Sequence, residues 1–411
     1  MRILFLSPDC PWPATNGMRM RTGSVLRALA ECGHEIAFFG FTRDPAALSP
    51  PAELRALCRS ARLFPQPARS LSSSRDWGRR LRACLDFTPY SAARFASAEA
   101  RAQILTALAV GRFDAVVADS VYAAVNLPEA LPAPLVINTH NLEHLILRRF
   151  AARAWQPAAR CYAGWEWRRL RAWEQAICRR AALVLACSEH DRDLIARLAP
   201  ATPVAVVPNV AALPAAPRPG SEQAGTILYC GGLDWYPNRD AVLYFARHIL
   251  PRVRRAVPGA RFWIAGREGP QSFARRLASF PGVCYLGPVP EMQPVIAAAS
   301  VVVVPLRIGS GTRLKILEAA AMGKAIVSTP LGAEGLEFTD CKDILLAERT
   351  AEFADNIAFL LRAPLPREIL GRAARRTFER LYTQAAATEA LRRAWALEPA
   401  TRGGSRPTRV A

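Results

Sequence analysis

Short apolar runs recur along the whole chain and alternate with stretches in which apolar positions return at helical spacing. Runs that are apolar throughout and are separated by helices such as RTGSVLRALAECG are typical of parallel strands covered on both faces. The pattern therefore predicts an α/β fold. The predicted strands are RILFLS, EIAFFGF, DAVVAD, PLVINT and ALVLACS in the first half, and TILYCG, RFWIAG, VCYLG, SVVVVP, AIVST and DILLA in the second.

The two sets of strands are separated by the segment VPNVAALPAAPRPGSEQAG, which is rich in Pro, Ala and Gly and has no apolar period. We interpret it as a linker between two doubly wound domains that face each other. Open parallel sheets bind ligands at the carboxyl ends of their strands, so the expected site is the cleft between the domains. The predicted parts are an N-terminal domain (1–208), a linker (209–223), a C-terminal domain (224–362), a helical tail returning toward the N-terminal domain (363–397) and a disordered end (398–411).

The composition is that of a globular protein, with 51% hydrophobic and 21% charged residues. No apolar run is long enough to span a membrane, and the apolar start of MRILFLSPDCPWP is too short for a signal peptide, so we expect a cytoplasmic protein. The net charge of +20 raises nucleic acid as a partner. It comes almost wholly from arginine, a bias that fits genome composition, and we expect no nucleic acid; anionic small substrates and an anionic membrane surface both stay open.

A glycine-rich loop follows the strand SVVVVP and leads into a helix, in the stretch GSGTRLKILEAAAMGK (309–324). Glycines let the backbone approach a ligand, and the free N–H groups and dipole of a helix start favour an anion. We expect the helix to begin near Thr312, so Arg313 and Lys315 add positive charge that suits a diphosphate. Glu318 lies one turn deeper, where a carboxylate can accept hydrogen bonds from a ribose. A glycine loop with charges on the helix surface is the alternative.

The chain lacks the glycine pattern of an NAD-binding domain. RILFLS is followed by PDCPWPATNGMRMR, with one glycine where G-x-G-x-x-G is needed, and in GSGTRL the third glycine position holds Leu314. An NAD-dependent dehydrogenase is therefore disfavoured.

Segments distributed over nearly the whole chain match one family in combination. They are MRILFLSPDCPWPATNGMRMR, NTHNLE, AALVLACSEHDRDLI, VVPN, GGLDWYPNRDAVLYFARHILPRV, FWIAGREGP, VCYLGPVPEM and GSGTRLKILEAAAMGKAIVSTPLGAEGL. With them the chain resembles the retaining GT-B glycosyltransferases (glycosyl transferases group 1), and most closely the bacterial exopolysaccharide-type sugar transferases. The resemblance implies two facing Rossmann-like domains that move a sugar from a nucleotide-diphosphate sugar to a hydroxyl of a saccharide or lipid-linked acceptor.

The resemblance also implies how the donor is held. In the family, two glutamates eight positions apart contact the transferred sugar and the ribose. Glu318 matches the second glutamate, whereas the first falls on Ser310. Contact with the sugar must then come from the hydroxyl of Ser310 or from the backbone between Gly309 and Gly311.

The remaining site residues follow from the same resemblance. Arg313 and Lys315 replace the Arg and Lys that family members carry beside the diphosphate, and His140, which follows the strand PLVINT, matches the histidine that faces the transferred sugar. Asn16 and Gly17 match the N-terminal glycine loop that touches the donor phosphate. Further donor-binding residues are assigned at Gly232, Gly266, Gly287, Thr312 and Leu314.

Retaining enzymes of this kind need no protein nucleophile, because the acceptor attacks from the face on which the diphosphate leaves and a phosphate oxygen takes the proton. Catalysis would rest on positioning and on stabilising the charge of the leaving diphosphate. The donor is a co-substrate, and no cofactor is expected. A sugar-nucleotide epimerase of the same fold and a non-catalytic sugar-nucleotide binding protein stay open as alternatives.

The sequence DRD (191–193) has the D-x-D form by which a different glycosyltransferase fold holds a metal ion. It lies just after Ser188, in a segment SEHD that is typical of a capped helix start. We therefore predict a helix cap here and no metal.

The stretch from 145 to 180 is rich in arginine and aromatic residues, among them Trp155, Tyr162 and Trp165. Ala163, Trp167, Leu170, Trp173 and Ile177 follow helical spacing, which gives an apolar face with cationic flanks. Such a helix can lie in the headgroup layer, so we predict peripheral binding to the inner face of the plasma membrane. The alternative is that this face packs on the N-terminal sheet.

Overall fold

A computed structural model of the protein describes residues 1–44, 47–67, 88–153, 156–213 and 222–396. It contains two parallel sheets, one in each half of the chain, with helices on both faces of each. The α/β prediction is therefore confirmed. The predicted disordered end and most of the predicted linker lie outside the described residues.

The N-terminal sheet has seven parallel strands in the order β3-β2-β1-β4-β5-β6-β7. Five of them are the predicted runs, and β3 and β7 were not predicted. The strands are β1 (Arg2–Ser7), β2 (Glu35–Thr42), β3 (Ser60–Pro65), β4 (Ala115–Asp119), β5 (Leu135–Asn138), β6 (Leu183–Ala186) and β7 (Val204–Val206). The helices are α1 (Gly17–Glu31), α2 (Ala52–Leu57), α3 (Tyr90–Ala93), α4 (Ala98–Val110), a 3-10 turn (Ala123–Asn126), α5 (Glu143–Arg153), α6 (Pro157–Arg180) and α7 (Glu189–Leu198).

The C-terminal sheet has six parallel strands in the order β10-β9-β8-β11-β12-β13, and all six were predicted. The strands are β8 (Thr226–Cys230), β9 (Arg261–Ala265), β10 (Val283–Gly287), β11 (Val301–Val304), β12 (Ala325–Ser328) and β13 (Leu345–Leu346). The helices are α8 (Tyr236–Tyr244), a π-helical turn (Phe245–Ile249), α9 (Leu250–Ala256), α10 (Gln271–Ala278), α11 (Met292–Ala298), α12 (Leu314–Ala321), α13 (Thr350–Arg362), α14 (Pro364–Leu381) and α15 (Gln384–Ala396).

The strand order places a topological switch point in each sheet. In the N-terminal sheet β1 pairs with β2 on one side and with β4 on the other, and in the C-terminal sheet β8 pairs with β9 and β11. The strands in the middle of each sheet are buried. In β11, for example, all four residues (Val301–Val304) are buried. Loops that leave these strands at their carboxyl ends diverge to opposite faces, which opens a crevice for a ligand in each domain.

The final helix packs on the N-terminal domain. Gln384 Nε2 donates to Ser24 O at 3.1 Å, and Thr388 Oγ1 donates to Glu31 Oε2 at 2.6 Å. Leu391 belongs to the same buried cluster as residues of α1. The chain therefore crosses between the domains twice.

The apolar stripe that we expected to face a bilayer is part of the core of the N-terminal domain. Ala163, Leu170 and Ile177 on α6 are buried, and Trp173 Nε1 donates to Val121 O at 3.2 Å. Trp155 lies outside the described residues. The sequence predicted the helix and its amphipathic face correctly, and the sheet covers that face. Within the described residues, no helix has the length and apolarity that crossing a membrane requires.

Candidate active site

A cleft of about 1610 Å³ lies between the two domains, at the carboxyl ends of the strands. Most of the residues singled out in the sequence line it. Gly287 and Gly311 do not: Pro288 takes part in the wall in place of Gly287, and Gly311 packs against the N-terminal domain. The predicted residues that do line the cleft are Asn16, Gly17, His140, Gly232, Gly266, Gly309, Ser310, Thr312, Arg313, Leu314, Lys315 and Glu318.

The glycine loop brings the two domains into close contact before α12 begins. Gly311 has a φ of +73°, and a Cβ there would lie 2.7 Å from the carbonyl oxygen of His140. Glycine is therefore required for both its conformation and its lack of a side chain. Arg313 is extended, so α12 starts at Leu314, two residues later than expected. Lys315 is consequently in the first turn of the helix, where the free backbone N–H groups are.

Lys315 and Glu318 lie one turn apart on α12 and face the cleft. Lys315 Nζ lies 3.8 Å from the centre of the Tyr229 ring and 3.3 Å from Asn238 Oδ1. The pKa of Lys315 is lowered to about 7, chiefly by burial and also by the charge of Arg313, against the opposing effects of Cys230 and Glu318. Burial likewise raises the pKa of Glu318 to about 7, against the opposing charge of Lys315. An anion that enters the cleft favours the charged form of Lys315, and ribose hydroxyls that donate to Glu318 favour its ionised form.

Arg313 folds back over the glycine loop, where its Nη1 contacts the carbonyl oxygens of Ser310 and Gly311. Its Nε and Nη2 are buried and have no hydrogen-bond partner. Burial lowers the pKa of Arg313 to about 10, with Glu334 opposing the effect and Arg149 adding to it. Two unsatisfied donors of a cation at the cleft wall can be satisfied by an anionic ligand.

Ser310 stands at the position where family members carry a glutamate. It is 2% exposed, and its Oγ has no hydrogen-bond partner although it lines the cleft. A hydroxyl offers both a donor and acceptors, whereas a carboxylate offers acceptors only.

On the N-terminal side, His140 is held by a buried carboxylate that the sequence analysis did not single out. His140 follows β5, and its Nε2 lies 2.7 Å from Asp119 Oδ1 at the end of β4. Asp119 also accepts hydrogen bonds from Asn138, Ser7 and Thr22 at 2.6 to 2.8 Å. The signal that could have identified it is its place at the carboxyl end of the predicted strand DAVVAD.

The hydrogen-bonding roles of Asp119 and His140 follow from their surroundings. Burial alone would raise the pKa of Asp119, but the charge and hydrogen bond of His140, with the Thr22 and Ser7 hydroxyls, lower it. Asp119 is therefore a hydrogen-bond acceptor, and Nε2 of His140 carries a proton. His140 Nδ1 is buried and has no partner, so it is left to contact a ligand in the cleft.

The loop before α1 contacts the start of α12 inside the cleft. Asn16 caps α1, accepting from Arg19 N at 3.0 Å, and this fixes the start of the helix. A Cβ on Gly17 would lie 3.2 Å from Leu314 Cδ1. Arg267, after β9, pairs with Asp234 at 3.0 Å and donates to Thr15 O at 2.8 Å.

Further polar contacts join the domains, and the sequence analysis did not predict them. Asn209 Nδ2 donates to Thr312 Oγ1 at 2.6 Å. Arg149 on α5 pairs with Glu334 and also donates to Gly309 O in the glycine loop. The glycine loop, which is the donor loop of the cleft, is therefore held in place by contacts from the N-terminal domain.

The DRD segment forms a helix start, as predicted. Ser188 Oγ accepts from Asp191 N at 3.1 Å and donates to Asp191 Oδ2 at 2.9 Å. Within the described ranges, His, Cys, Asp and Glu side chains form no group of three or more that could hold a metal ion.

Two facing parallel-sheet domains with a ligand cleft at the carboxyl ends of their strands are the arrangement of the GT-B fold. The chain belongs to the group 1 glycosyltransferases: residues 224–363 match the family model described as "Glycosyl transferases group 1", and residues 16–210 match that of a "Glycosyl transferase 4-like domain". The prediction of a group 1 glycosyltransferase is thereby confirmed, and sugar transfer is the class of activity. No curated protein sequence matches the chain.

Solved structures of similar fold cover nearly the whole chain. Sucrose-phosphate synthase from Thermosynechococcus elongatus has a TM-score of 0.74 at 17% identity, over 96% of this chain and 98% of its own. TarM of S. aureus, in a complex with fondaparinux, α-GlcNAc-glycerol and UDP, has a TM-score of 0.70 at 11% identity, over 96% and 100%. Anabaena HepE, in a complex with UDP and glucose, has a TM-score of 0.63 at 13% identity, over 97% and 100%. At these identities the likeness shows the GT-B fold.

Proposed function

We propose that the protein transfers a sugar from a nucleoside diphosphate sugar to a hydroxyl acceptor with retention of anomeric configuration and without a metal ion. The observation that carries the proposal is the arrangement of Lys315 and Glu318, a cation and a carboxylate one turn apart at the start of α12, in the same cleft as His140. That HepE and TarM were solved with UDP supports a nucleoside diphosphate as the leaving group.

The donor's diphosphate binds at the start of α12. The free N–H groups of the helix, Lys315 and the unsatisfied nitrogens of Arg313 are donors for its oxygens. Negative charge on the diphosphate grows as the bond to the sugar breaks, so these groups stabilise the transition state more than the ground state. Glu318 accepts hydrogen bonds from the ribose.

The transferred sugar lies between Ser310 and His140. Because Nε2 of His140 is bonded to Asp119, Nδ1 is the ring nitrogen that is left to form a hydrogen bond with a sugar hydroxyl. Ser310 Oγ supplies the contact that a glutamate makes in the family pattern. The acceptor hydroxyl attacks on the face that the diphosphate leaves, and a diphosphate oxygen takes its proton, so neither residue forms a covalent bond.

The acceptor belongs to polysaccharide or glycolipid synthesis at the inner face of the plasma membrane. The support for this is the arginine-rich outer surface of α6, on which Arg160, Arg168 and Arg171 are exposed beside Trp165. Charged side chains of this kind are attracted to an anionic leaflet even though the apolar stripe beneath them is buried.

The test is nucleotide release across a panel of sugar nucleotides, with and without a crude lipid extract, in the presence of EDTA. We expect release that depends on the extract and a product whose anomeric proton coupling in NMR matches that of the donor. Turnover without acceptor would instead indicate an epimerase, and donor binding without release would indicate a non-catalytic binding protein. An inverted anomeric centre would contradict retention.

A further inference from the structure

The N-terminal wall of the cleft contains a short segment, residues 88–96, that is held in place by hydrogen bonds to side chains of α6. Glu166, which is 1% exposed, accepts hydrogen bonds from the backbone N and the Oγ of Ser91, both at 2.8 Å. Arg169 Nη2 donates to Thr88 O at 3.2 Å. A carboxylate buried in the middle of a helix is thus committed to fixing this segment, which includes the single turn α3.

Arg94 projects from the end of this segment into the cleft. Its guanidinium carbon lies 4.9 Å from the centre of the Phe95 ring and 6.0 Å from that of Tyr122, which fixes the planar group against an aromatic surface. Its Nε is buried and has no hydrogen-bond partner. In the part of the chain that the structure describes, the guanidinium group of Arg94 makes no hydrogen bond and no ion pair.

Two other arginines that line the cleft are paired with carboxylates: Arg43 with Asp9 at 3.9 Å and Arg267 with Asp234 at 3.0 Å. Arg21 is bonded to the chain after β7 through Val207 O and Asn209 Oδ1, and Arg313 belongs to the glycine loop on the opposite wall. Among the described residues, no carboxylate therefore pairs with Arg94. Because partly desolvated donors are costly when they stay unpaired, their retention in a cleft indicates that a ligand pairs with them.

We propose that Arg94 binds an anionic group, a phosphate or a carboxylate, carried by the acceptor. The inference rests on the proposed function, since it assigns the acceptor to the N-terminal side of the cleft. The planar fork of an arginine matches both oxyanions with two parallel hydrogen bonds. The acceptor is thus a phosphorylated sugar, a hexuronate or a phosphate-bearing lipid, and a neutral saccharide alone binds poorly.

The carboxylates on this side of the cleft do not compete for Arg94. Asp9 is engaged by Arg19, and Glu143 accepts hydrogen bonds from Tyr122 OH and Asn141 Nδ2, both at 3.2 Å. Glu143 therefore faces the hydroxyl-bearing part of an acceptor, while Arg94 faces its anion.

The test measures binding rather than turnover, so that it stands apart from the test of the transfer reaction. Calorimetric titrations of the UDP-loaded protein compare glucose, galactose and mannose with their 6-phosphates, with the corresponding uronic acids, and with a short-chain polyprenyl phosphate in micelles. We expect at least one anionic compound to bind about 10- to 100-fold more tightly than its neutral counterpart. Arg94→Gln should remove that difference. Which compound shows it identifies the phosphate or carboxylate source.

Arg101→Gln is the matched control, because Arg101 is exposed on α4 outside the cleft. It should keep the preference for the anionic compound. The inference is overturned if the wild-type protein binds anionic and neutral compounds equally, or if Arg94→Gln keeps the preference. Anion binding that depends on Arg94 in a protein without transfer activity would overturn the proposed reaction and leave the anion site standing.

Discussion

Glu334 in the C-terminal domain accepts hydrogen bonds from both terminal nitrogens of Arg149 in the N-terminal domain, at 3.0 and 2.8 Å. Arg149 also donates to Gly309 O, so one side chain links the domain interface to the loop that receives the donor. The pair is mostly shielded from water, with side-chain exposures of 28% and 16%. The Arg149–Glu334 ion pair therefore couples domain closure to the shape of the donor loop.

Arg149→Gln should weaken UDP binding about tenfold. The donor loop loses the hydrogen bond to Gly309 O, and the closed form loses the ion pair with Glu334. The measurement is calorimetric titration with UDP, together with the radius of gyration from small-angle scattering, which should rise in the UDP-bound variant. Arg153→Gln is the control, since Arg153 is exposed on the same helix. Unchanged affinity and size in Arg149→Gln would contradict the coupling.

Glu318→Gln should weaken UDP binding roughly 10- to 100-fold while the fold is kept, because a charge-assisted hydrogen bond to the ribose is lost. The sharper measurement compares UDP with its 2′,3′-dideoxy analogue. The wild-type protein should prefer UDP, and the variant should discriminate little. Glu348→Gln, at an exposed position, should behave as the wild type. A variant that still prefers UDP to the dideoxy analogue would contradict the assignment of Glu318 to the ribose.

Lys315→Met should lower kcat by on the order of 10²-fold, because the charge on the leaving diphosphate grows in the transition state. Methionine has a similar length and no charge, so the change removes the ammonium group that lies over the Tyr229 ring. A loss confined to KM would show that Lys315 only docks the donor.

Lys315 should also make UDP binding dependent on pH. Burial holds its pKa at about 7, and a bound diphosphate raises that pKa, so binding takes up a proton. The affinity contributed by Lys315 is thus complete below about pH 7 and declines as the pH rises through the higher, ligand-bound pKa. Calorimetry at about pH 8.5 in buffers of different ionisation enthalpy should detect the uptake, because Glu318 is then already ionised. Lys315→Met should show none.

His140→Gln should leave UDP binding unchanged and reduce sugar transfer by roughly 10²-fold, because the residue contacts the sugar and not the nucleotide. His248→Gln is the control, since His248 is exposed on the C-terminal domain. Equal losses of UDP binding and transfer in His140→Gln would show that the histidine only supports the structure around Asp119.

Changing Arg160, Arg168 and Arg171 together to Gln should reduce co-sedimentation with anionic liposomes, with each arginine contributing about 1 kcal/mol at low salt. Arg169 is left unchanged because it holds the segment next to the cleft. A variant with Arg255, Arg275 and Arg276 changed to Gln has the same loss of charge on the other domain. Wild-type protein that stays in the supernatant with anionic vesicles would contradict the membrane proposal.

The sequence predicted the strands that lie inside the sheets and missed two at the edges. β11 is apolar at every position, whereas β3 is buried only at Leu63 and Phe64 and β7 is three residues long. An edge strand is covered less completely, so its sequence carries a weaker apolar signal. The residues of the donor loop were found because they are adjacent in the sequence.

The contacts that could not be predicted from the sequence join residues that lie far apart along the chain. Arg149 and Glu334, or His140 and Asp119, become neighbours only when the strands and domains are assembled. The buried face of α6 shows the same limit in another form. Helical spacing identifies an apolar face, but a sheet and a bilayer are both apolar surfaces that can cover it.

The packing of α15 on α1 has a consequence for how the protein is made. Ala387, Leu391 and Ala394 complete the buried cluster that contains Val25 and Leu29. During synthesis the first domain leaves the ribosome with this apolar surface uncovered, and it stays uncovered until almost four hundred residues have been added. The core of the first domain is therefore completed only by the last helix, and a nascent chain arrested before α15 leaves the apolar side chains of α1 that face this helix without their cover.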